Sequence, residues 1–205
     1  HPRRCDRAAG RARRIAAMRL KAPRIAPVDL DSLTEDQRQA LKVFEGRPPL
    51  NIFRTMAHAP KALERFLAWG NYVLSKRNSL PPRERELVIL RTGFLCRSGY
   101  EFTQHKAIAL REGLSAAEIE AIKRGPGEPT WSAAERALIQ ACDELHEDQF
   151  ITEATWAALG ADFDDKQRMD LVFTVGQYTQ VSMMLNSFGV QLDAGQSLDP
   201  DLAAW

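Results

Sequence analysis

The stretch from Glu86 to His105 holds the residue types best suited to acid–base chemistry in this chain. Glu101 and His105 are four residues apart, so on a helix they share one face and can touch. Glu86 comes first, directly before an apolar run, where burial would raise the pKa of its carboxyl group. Two carboxyl groups and an imidazole supply a base, an acid and a partner that fixes the imidazole tautomer. The pattern predicts proton transfer at a small carbon acid, with His105, Glu101 and Glu86 as catalytic residues.

Four further residues near this set are candidates for binding a substrate. Ser98 lies in the first turn of a predicted helix, where free backbone N–H groups favour an anion. Arg91 carries a guanidinium that could clamp a carboxylate. Tyr100 lies next to Glu101. Cys96 is predicted to be a buried, unreactive thiol, because only Arg97 lies close enough in sequence to lower its pKa.

Plainer interpretations of the same residues stay open at this point. A Glu–His pair four residues apart is common on solvated helix surfaces, and Glu86 could be a surface charge within Arg-Glu-Arg-Glu. Two carboxylates and one imidazole can also bind iron or manganese. No further His or Asp falls at ligand spacing, so we predict neither a metal nor a cofactor. The sequence predicts no partner for His58 or His146.

Prolines, glycines and helix-capping residues divide the rest of the chain into predicted helices. The two that carry the chemistry follow Ser79–Pro82 and Gly99, the second closing at Gly113. The other predicted helices are 34–44, one from Asn51, 61–76, and those beginning after Ser115, Ser132, Thr152 and Asp164 or Asp165. No apolar–polar alternation is long enough to predict a strand. The sequence therefore predicts an all-α, compact multi-helix bundle.

The ends of the chain are predicted to differ from its middle. Residues 1–29 are predicted to be a flexible, Arg-rich tail and an extended lead-in, 30–192 the helical domain, and 193–205 a C-terminal tail. The first 24 residues carry nine basic side chains against the single acid Asp6. Such a start is typical of a nucleic-acid arm, a transit peptide or a solvated tail, and the last fits best because little of it can be buried. Met18 could be the natural first residue.

The bulk composition excludes several classes of protein. The formal net charge of +1 gives no electrostatic reason to expect nucleic acid or a membrane surface as a partner. No apolar run reaches the ~18 residues of a transmembrane helix. The three cysteines, Cys5, Cys96 and Cys142, form no C-x-x-C pair. They favour a reducing, cytoplasmic location over a disulfide framework or a zinc site.

Several segments together resemble one known family. LPPRERELVILRTGFLC and YEFTQHKAIALREGLSAAEIEAI are similar to the central signature of the carboxymuconolactone decarboxylase-like family. PLNIFRTMAHAPKAL, WSAAERALIQACDEL and VGQYTQVSMMLNSFGV are similar to its neighbouring helices, so the likeness spans roughly Leu30 to Leu192. The resemblance implies a helical bundle of the alkylhydroperoxidase D type that assembles as a dimer, trimer or hexamer. Apolar residues on several sides of the helices fit such assembly; they include Phe94, Leu110, Val172, Tyr178 and Met184.

The chain departs from the peroxidase branch of that family at two positions. In alkylhydroperoxidase D a glutamate precedes a C-x-x-C motif and a histidine, which by resemblance correspond here to Glu86 and His105. The two cysteine positions fall on Ser98 and Glu101. Without those thiols the dithiol–disulfide cycle has no attacking or resolving sulfur. The resemblance therefore implies the non-peroxidase branch, whose named member is a decarboxylase.

Three functions remain open from sequence. The first is a cofactor-free lyase, decarboxylase or isomerase of a small carboxylated or lactone-like metabolite. In it His105 moves the proton, Glu101 orients or shares it, and Glu86 acts as relay. The second is a thiol-dependent, peroxiredoxin-like hydroperoxide reductase that uses Cys96, and the third is a non-catalytic oligomeric scaffold. A cavity beside His105 would favour an enzyme over a scaffold.

Overall fold

The computed structural model describes residues 20–203, and every regular element in that range is helical. The Arg-rich segment before residue 20, including Met18 and Cys5, lies outside the described residues. Nine α-helices occur within the range: α1 Glu35–Leu41, α2 Asn51–Met56, α3 Pro60–Leu74, α4 Pro82–Leu95, α5 Gly99–Arg111, α6 Ala116–Arg124, α7 Ala133–Asp148, α8 Glu153–Leu159 and α9 Asp165–Phe188. The predicted all-α fold is confirmed.

Polar side chains just before the helices account for where several of them begin. Thr34, Ser115, Ser132 and Asp164 each accept a hydrogen bond from a backbone N–H in the first turn, and a Glu or Gln side chain reciprocates. Such capping boxes satisfy N–H groups that have no partner within the helix. Two boundaries differ from prediction. The helix predicted over 61–76 is α3, which ends at Leu74, and α1 gives way to a 3-10 turn, Lys42–Phe44.

Helix α4 is the central element, because it runs between two hydrophobic cores. It packs against α5, α7 and α9. Four consecutive side chains, Leu87 to Leu90, are completely buried. Ile89 packs into a core formed mainly by α1 to α3 and α9, and the other three pack into a core formed mainly by α5 to α9. Glu86 directly precedes this run, so its carboxyl group is carried into the interior.

A tight turn folds α5 back onto α4. Arg97 takes a left-handed backbone conformation there, with φ of +55°. The Ser98 N–H donates to the Gly93 carbonyl at 2.9 Å, which closes the end of α4. Residues on facing sides of the two helices therefore meet although they are far apart in sequence.

Both ends of the described range pack onto the helices. The Arg24 N–H donates to the carbonyl of Phe188 at 2.9 Å, and Asp193 accepts from the Asn51 N–H at 2.9 Å. Leu202 is buried in one of the two cores. No helix in residues 20–203 has both the length and the hydropathy needed to span a membrane.

Candidate active site

The turn between α4 and α5 brings Glu86 and His105 into direct contact. Glu86 Oε2 lies 2.7 Å from His105 Nδ1, and both side chains are buried. A carboxylate at this distance accepts a hydrogen bond from Nδ1–H. That bond fixes the ring orientation and leaves the Nε2 lone pair available, and Nε2 has no hydrogen-bond partner within residues 20–203. The pair is therefore set up as a general base backed by a carboxylate.

Glu101 is the second carboxyl group of the site, and it lacks a partner. Its side chain is completely buried, and neither oxygen is hydrogen-bonded to any described residue. Burial, and next the negative charge of Glu86, raise the pKa of Glu101 well above its usual range. The neutral carboxylic acid is the favoured form because an unpaired buried charge is costly. Glu101 can thus donate a proton.

Gly93 provides the space that Glu101 occupies. A Cβ built on Gly93 would collide with the Glu101 carboxyl group. Any side chain at position 93 would therefore displace this acid from its place between α4 and α5.

Tyr178, on α9, closes one side of the site. Its ring packs edge-on against the imidazole of His105, with the centroids 4.8 Å apart and the planes at 83°. Burial, followed by the nearby Glu101 and Glu86 carboxyl groups, raises the pKa of the Tyr178 phenol well above its usual value. The phenol therefore stays protonated, and its ring packs against the imidazole.

A cavity of about 230 Å³ adjoins the two residues that can exchange protons, Glu101 and His105. Glu101 and His105 line it, whereas Glu86 lies behind the imidazole. Most of its wall is apolar and comes from α2, α3, α5 and α9, for example Phe53, Phe66, Leu67, Ile108, Val181 and Leu185. Its remaining polar lining includes Asn71, Gln104, Gln177 and the two tyrosines Tyr100 and Tyr178. No lysine or arginine of the described chain is among the lining residues.

Arg91, a predicted carboxylate clamp, lies away from this cavity. Its guanidinium pairs with both oxygens of Asp143 at 2.7 and 2.8 Å. It also donates to the carbonyls of Ile122 and Lys123 at 2.8 and 3.0 Å. Arg91 therefore ties α4 to α6 and α7, and its donors are already engaged.

The other predicted binding residues fall in three different places. Tyr100 lines the cavity and donates from its hydroxyl to Asp193 at 2.5 Å. Ser98 is fully buried outside the cavity lining, and its Oγ has no partner among residues 20–203. Cys96 is half-buried, outside the lining, and its Sγ lies 3.8 Å from His146 Nδ1. Burial raises the pKa of the Cys96 thiol, although hydrogen bonding to Thr179 partly opposes this.

The structure differs from the sequence-based expectation in which residues touch. His105 is hydrogen-bonded to Glu86 on the neighbouring helix and not to Glu101 on its own helix. The expectation that two other histidines lack partners is also wrong. His58 Nε2 lies 2.8 Å from the Ala26 carbonyl, and His146 contacts Cys96. Both partners are distant in sequence, so no local pattern could reveal them.

Sequence reasoning missed Gln177, Asn71 and Gly93 as parts of the site. Gln177 and Asn71 lie on α9 and α3, far from the Glu86–His105 stretch, and carry no recognisable motif. Gly93 did carry a signal, since a glycine inside a buried helix often marks close packing. Within residues 20–203, no group of three or more His, Cys, Asp or Glu side chains is arranged to hold a metal ion.

The sequence matches one family directly. The sequence model of the carboxymuconolactone decarboxylase family matches residues 60–144, which contain Glu86, Glu101 and His105. No functionally curated protein matches the chain.

Solved structures match the fold over most of the chain. A peroxidase-related protein with an alkylhydroperoxidase AhpD core from Ralstonia eutropha JMP134 has a TM-score of 0.72 at 22% identity, covering 84% of this chain and 93% of its own. A peroxidase-related protein from Silicibacter sp. TM1040 also has a TM-score of 0.72, at 17% identity, and the match covers 85% of this chain and 95% of the Silicibacter protein. A variant of the debrominase Bmp8 in complex with 2,3,4-tribromopyrrole has a TM-score of 0.65 at 12% identity, and the match covers 83% of this chain and 91% of the debrominase.

The matched segment is the one that forms the Glu86–His105 pair, and the surrounding helices share the fold of proteins with an AhpD core. Residues 60–144 are thus similar to the carboxymuconolactone decarboxylase family, and the described helices have the fold of the AhpD-like solved structures.

Proposed function

We propose that this protein is a cofactor-free enzyme that transfers protons at carbon within a small metabolite, as a lyase, decarboxylase or isomerase. The proposal depends on one observation. The imidazole of His105, hydrogen-bonded to Glu86, and the unpaired, neutral carboxylic acid of Glu101 belong to residues that line the same apolar cavity. A base and an acid with different proton affinities are what such chemistry needs in one site. The missing dithiol supports the non-peroxidase branch of the superfamily.

The proposed reaction begins at His105. Its Nε2 removes a proton from the substrate carbon, and Glu86 stabilises the resulting imidazolium through Nδ1–H. Glu101 gives its proton to the atom on which negative charge develops or to the leaving group. The imidazolium then returns a proton to the Glu101 carboxylate, which lies one helical turn away, so no proton is gained or lost by the protein.

A structural relative supports a small ring as the substrate. The debrominase Bmp8 was crystallised with 2,3,4-tribromopyrrole, a single five-membered ring. Unsaturated five-membered lactones have a similar size and carry acidic C–H groups, so they are suitable first substrates to test.

The direct test follows proton exchange by NMR in deuterium oxide. The parent protein should incorporate deuterium into one or more of a panel of unsaturated five-membered lactones faster than buffer does. His105→Ala and Glu101→Gln should each reduce the rate by roughly 100-fold or more. Cys96→Ser, outside the cavity lining, should leave it unchanged. Equal rates in the parent and both site variants, or no exchange above buffer, would contradict the proposal.

Thiol-dependent hydroperoxide reduction by Cys96 is the second candidate, favoured by the contact between Cys96 and His146. The raised pKa of Cys96 weighs against it, because the thiolate is the reactive form. The other described cysteine, Cys142, is completely buried on α7, so it is poorly placed as a resolving thiol. Hydroperoxide consumption that disappears in Cys96→Ser would favour this function.

Self-association as a dimer, trimer or hexamer is part of the proposal. Large apolar side chains remain exposed on α5 and α9, including Leu110, Val172 and Met183. Sedimentation velocity would measure the assembly. A scaffold without catalysis gains less support, because a purely structural Glu–His contact explains neither the cavity nor the unpaired Glu101.

A further inference from the structure

Three of the residues that line the cavity carry polar atoms without a hydrogen-bond partner in the described chain. These atoms are the Glu101 carboxyl oxygens, Nε2 of His105 and the side-chain oxygen of Gln177. Gln177 lies on α9, is 5% exposed, and carries no role in the proton transfer described above. Buried polar groups in proteins are almost always hydrogen-bonded. Unpaired atoms on three residues that line one cavity therefore point to a ligand that pairs with them.

The charge of the cavity wall constrains that ligand. An anion would enter an apolar space lined by no described lysine or arginine, with the Glu86 carboxylate just behind the imidazole. The nearest basic candidate from the sequence, Arg91, is held by Asp143. A cation would require Glu101 to ionise, and its burial without hydrogen bonds opposes this. Both signs of charge are disfavoured relative to a neutral molecule.

The size of the cavity sets a second limit. A cavity of ~150 Å³ lined by apolar side chains is large enough to hold benzene. The present cavity, at about 230 Å³, holds a single ring with small substituents. Phe53, Phe66 and Tyr178 offer aromatic surfaces against which a ring can pack.

The hydrogen-bonding groups then determine what the ring must carry. Neutral Glu101 donates through its hydroxyl, so the ligand needs an acceptor. Nε2 of His105 and the Gln177 oxygen both accept, so the ligand also needs a donor. We propose that the substrate is an uncharged, single-ring molecule with at least one hydrogen-bond donor and one acceptor, and that Gln177 is a substrate-binding residue.

This inference rests on the proposed function and narrows it. A substrate that binds without charge favours isomerisation or elimination at a lactone-like ring over loss of carbon dioxide from a carboxylate. The carboxylated alternative would need a cation that the described cavity wall lacks.

Binding of three matched probes tests the inference independently of turnover. Benzyl alcohol, benzoate and benzylammonium share one ring and differ mainly in charge at neutral pH. Ligand-observed NMR titration of the parent protein should give a Kd for benzyl alcohol at least about tenfold lower than for either ion. Gln177→Leu should raise the Kd for benzyl alcohol by about fivefold or more, because one hydrogen bond is lost.

Gln140→Leu is the matched control, since Gln140 lies on α7 and already donates to Glu144 at 3.2 Å. It should leave the Kd unchanged, and thermal unfolding of both variants verifies that they are folded. Tighter binding of either ion, no saturable binding of any probe, or an unchanged Kd in Gln177→Leu would overturn the inference. Selective binding of benzyl alcohol together with unchanged proton exchange in His105→Ala would instead refute only the proposed function.

Discussion

At the scale of single residues, the two glutamates of the site behave differently because their partners differ. Glu86 has an imidazole 2.7 Å away, whereas Glu101 has no hydrogen-bond partner among the described residues. Both are buried, so burial alone does not separate their roles. The sequence predicted both as catalytic candidates, but it could not show which one contacts His105, because that depends on the fold of α5 onto α4.

The unpaired Glu101 should make the protein less stable as pH rises. Its pKa is higher in the folded state than in the unfolded chain, so folding favours the protonated form. Stability is therefore lost as pH rises above the unfolded value of about 4.3. Glu101→Gln stays neutral and should be more stable than the parent at pH values well above this, with the difference shrinking under acidic conditions. Urea unfolding at several pH values measures this.

The exposed Glu112→Gln serves as the control and should show no such pH-dependent gain. A Glu101→Gln variant that loses stability relative to the parent as pH rises would mean that Glu101 is ionised in the folded state.

At the scale of elements, the close contact of α4 and α5 depends on Gly93, which has no side chain to occupy the space between them. Gly93→Ala places a methyl group where the Glu101 carboxyl lies, so we expect destabilisation of roughly 1–3 kcal/mol from overpacking. Combining it with Glu101→Ala should recover part of that loss, because the space is freed. Chemical unfolding of the two single variants and the double variant measures the coupling.

Gly176→Ala provides the comparison, since a Cβ at this helical position meets no atom within 4 Å. Alanine there should stabilise α9 by roughly 0.5–1 kcal/mol. Strictly additive effects of Gly93→Ala and Glu101→Ala would show that the two residues do not compete for one space.

Most helix boundaries could be predicted because their causes are local. The capping boxes at Thr34, Ser115, Ser132 and Asp164 are readable within four residues. Contacts between elements are not local. The Glu86–His105 bond joins residues 19 apart, and the sequence predicted both residues for the site but not their direct contact. Gln177 reaches the cavity from α9, which follows α6, α7 and α8 in the chain.

At the scale of the whole molecule, Asp170 joins three parts of the bundle. Its carboxylate accepts from Tyr72 on α3, from Ser79 in the segment before α4, and from Lys166 on its own helix α9, at 2.6 to 2.8 Å. Burial acts to raise the pKa of Asp170, but the hydrogen bonds from Lys166, Ser79 and Tyr72 outweigh it and lower the pKa to about 2. The ionised carboxylate therefore stabilises the fold.

Stability from Asp170 should be fully present above pH ~4 and should be lost as pH falls toward ~2, because the unfolded chain then binds the proton first. Asp170→Asn should cost roughly 2 kcal/mol at neutral pH and flatten that part of the acid unfolding curve. Circular dichroism during acid titration follows the change. Asp165→Asn, whose side chain is 90% exposed, should leave the curve as it is. An unchanged curve for Asp170→Asn would refute the assigned role.

Proton transfer requires, above all, that Glu101 carries a proton at neutral pH beside the Glu86–His105 pair. Infrared difference spectra between the parent protein and Glu101→Gln measure that proton directly. We expect the parent to show a carboxylic-acid carbonyl band at neutral pH that the variant lacks. A difference spectrum in which only a carboxylate band disappears would contradict the proposed acid.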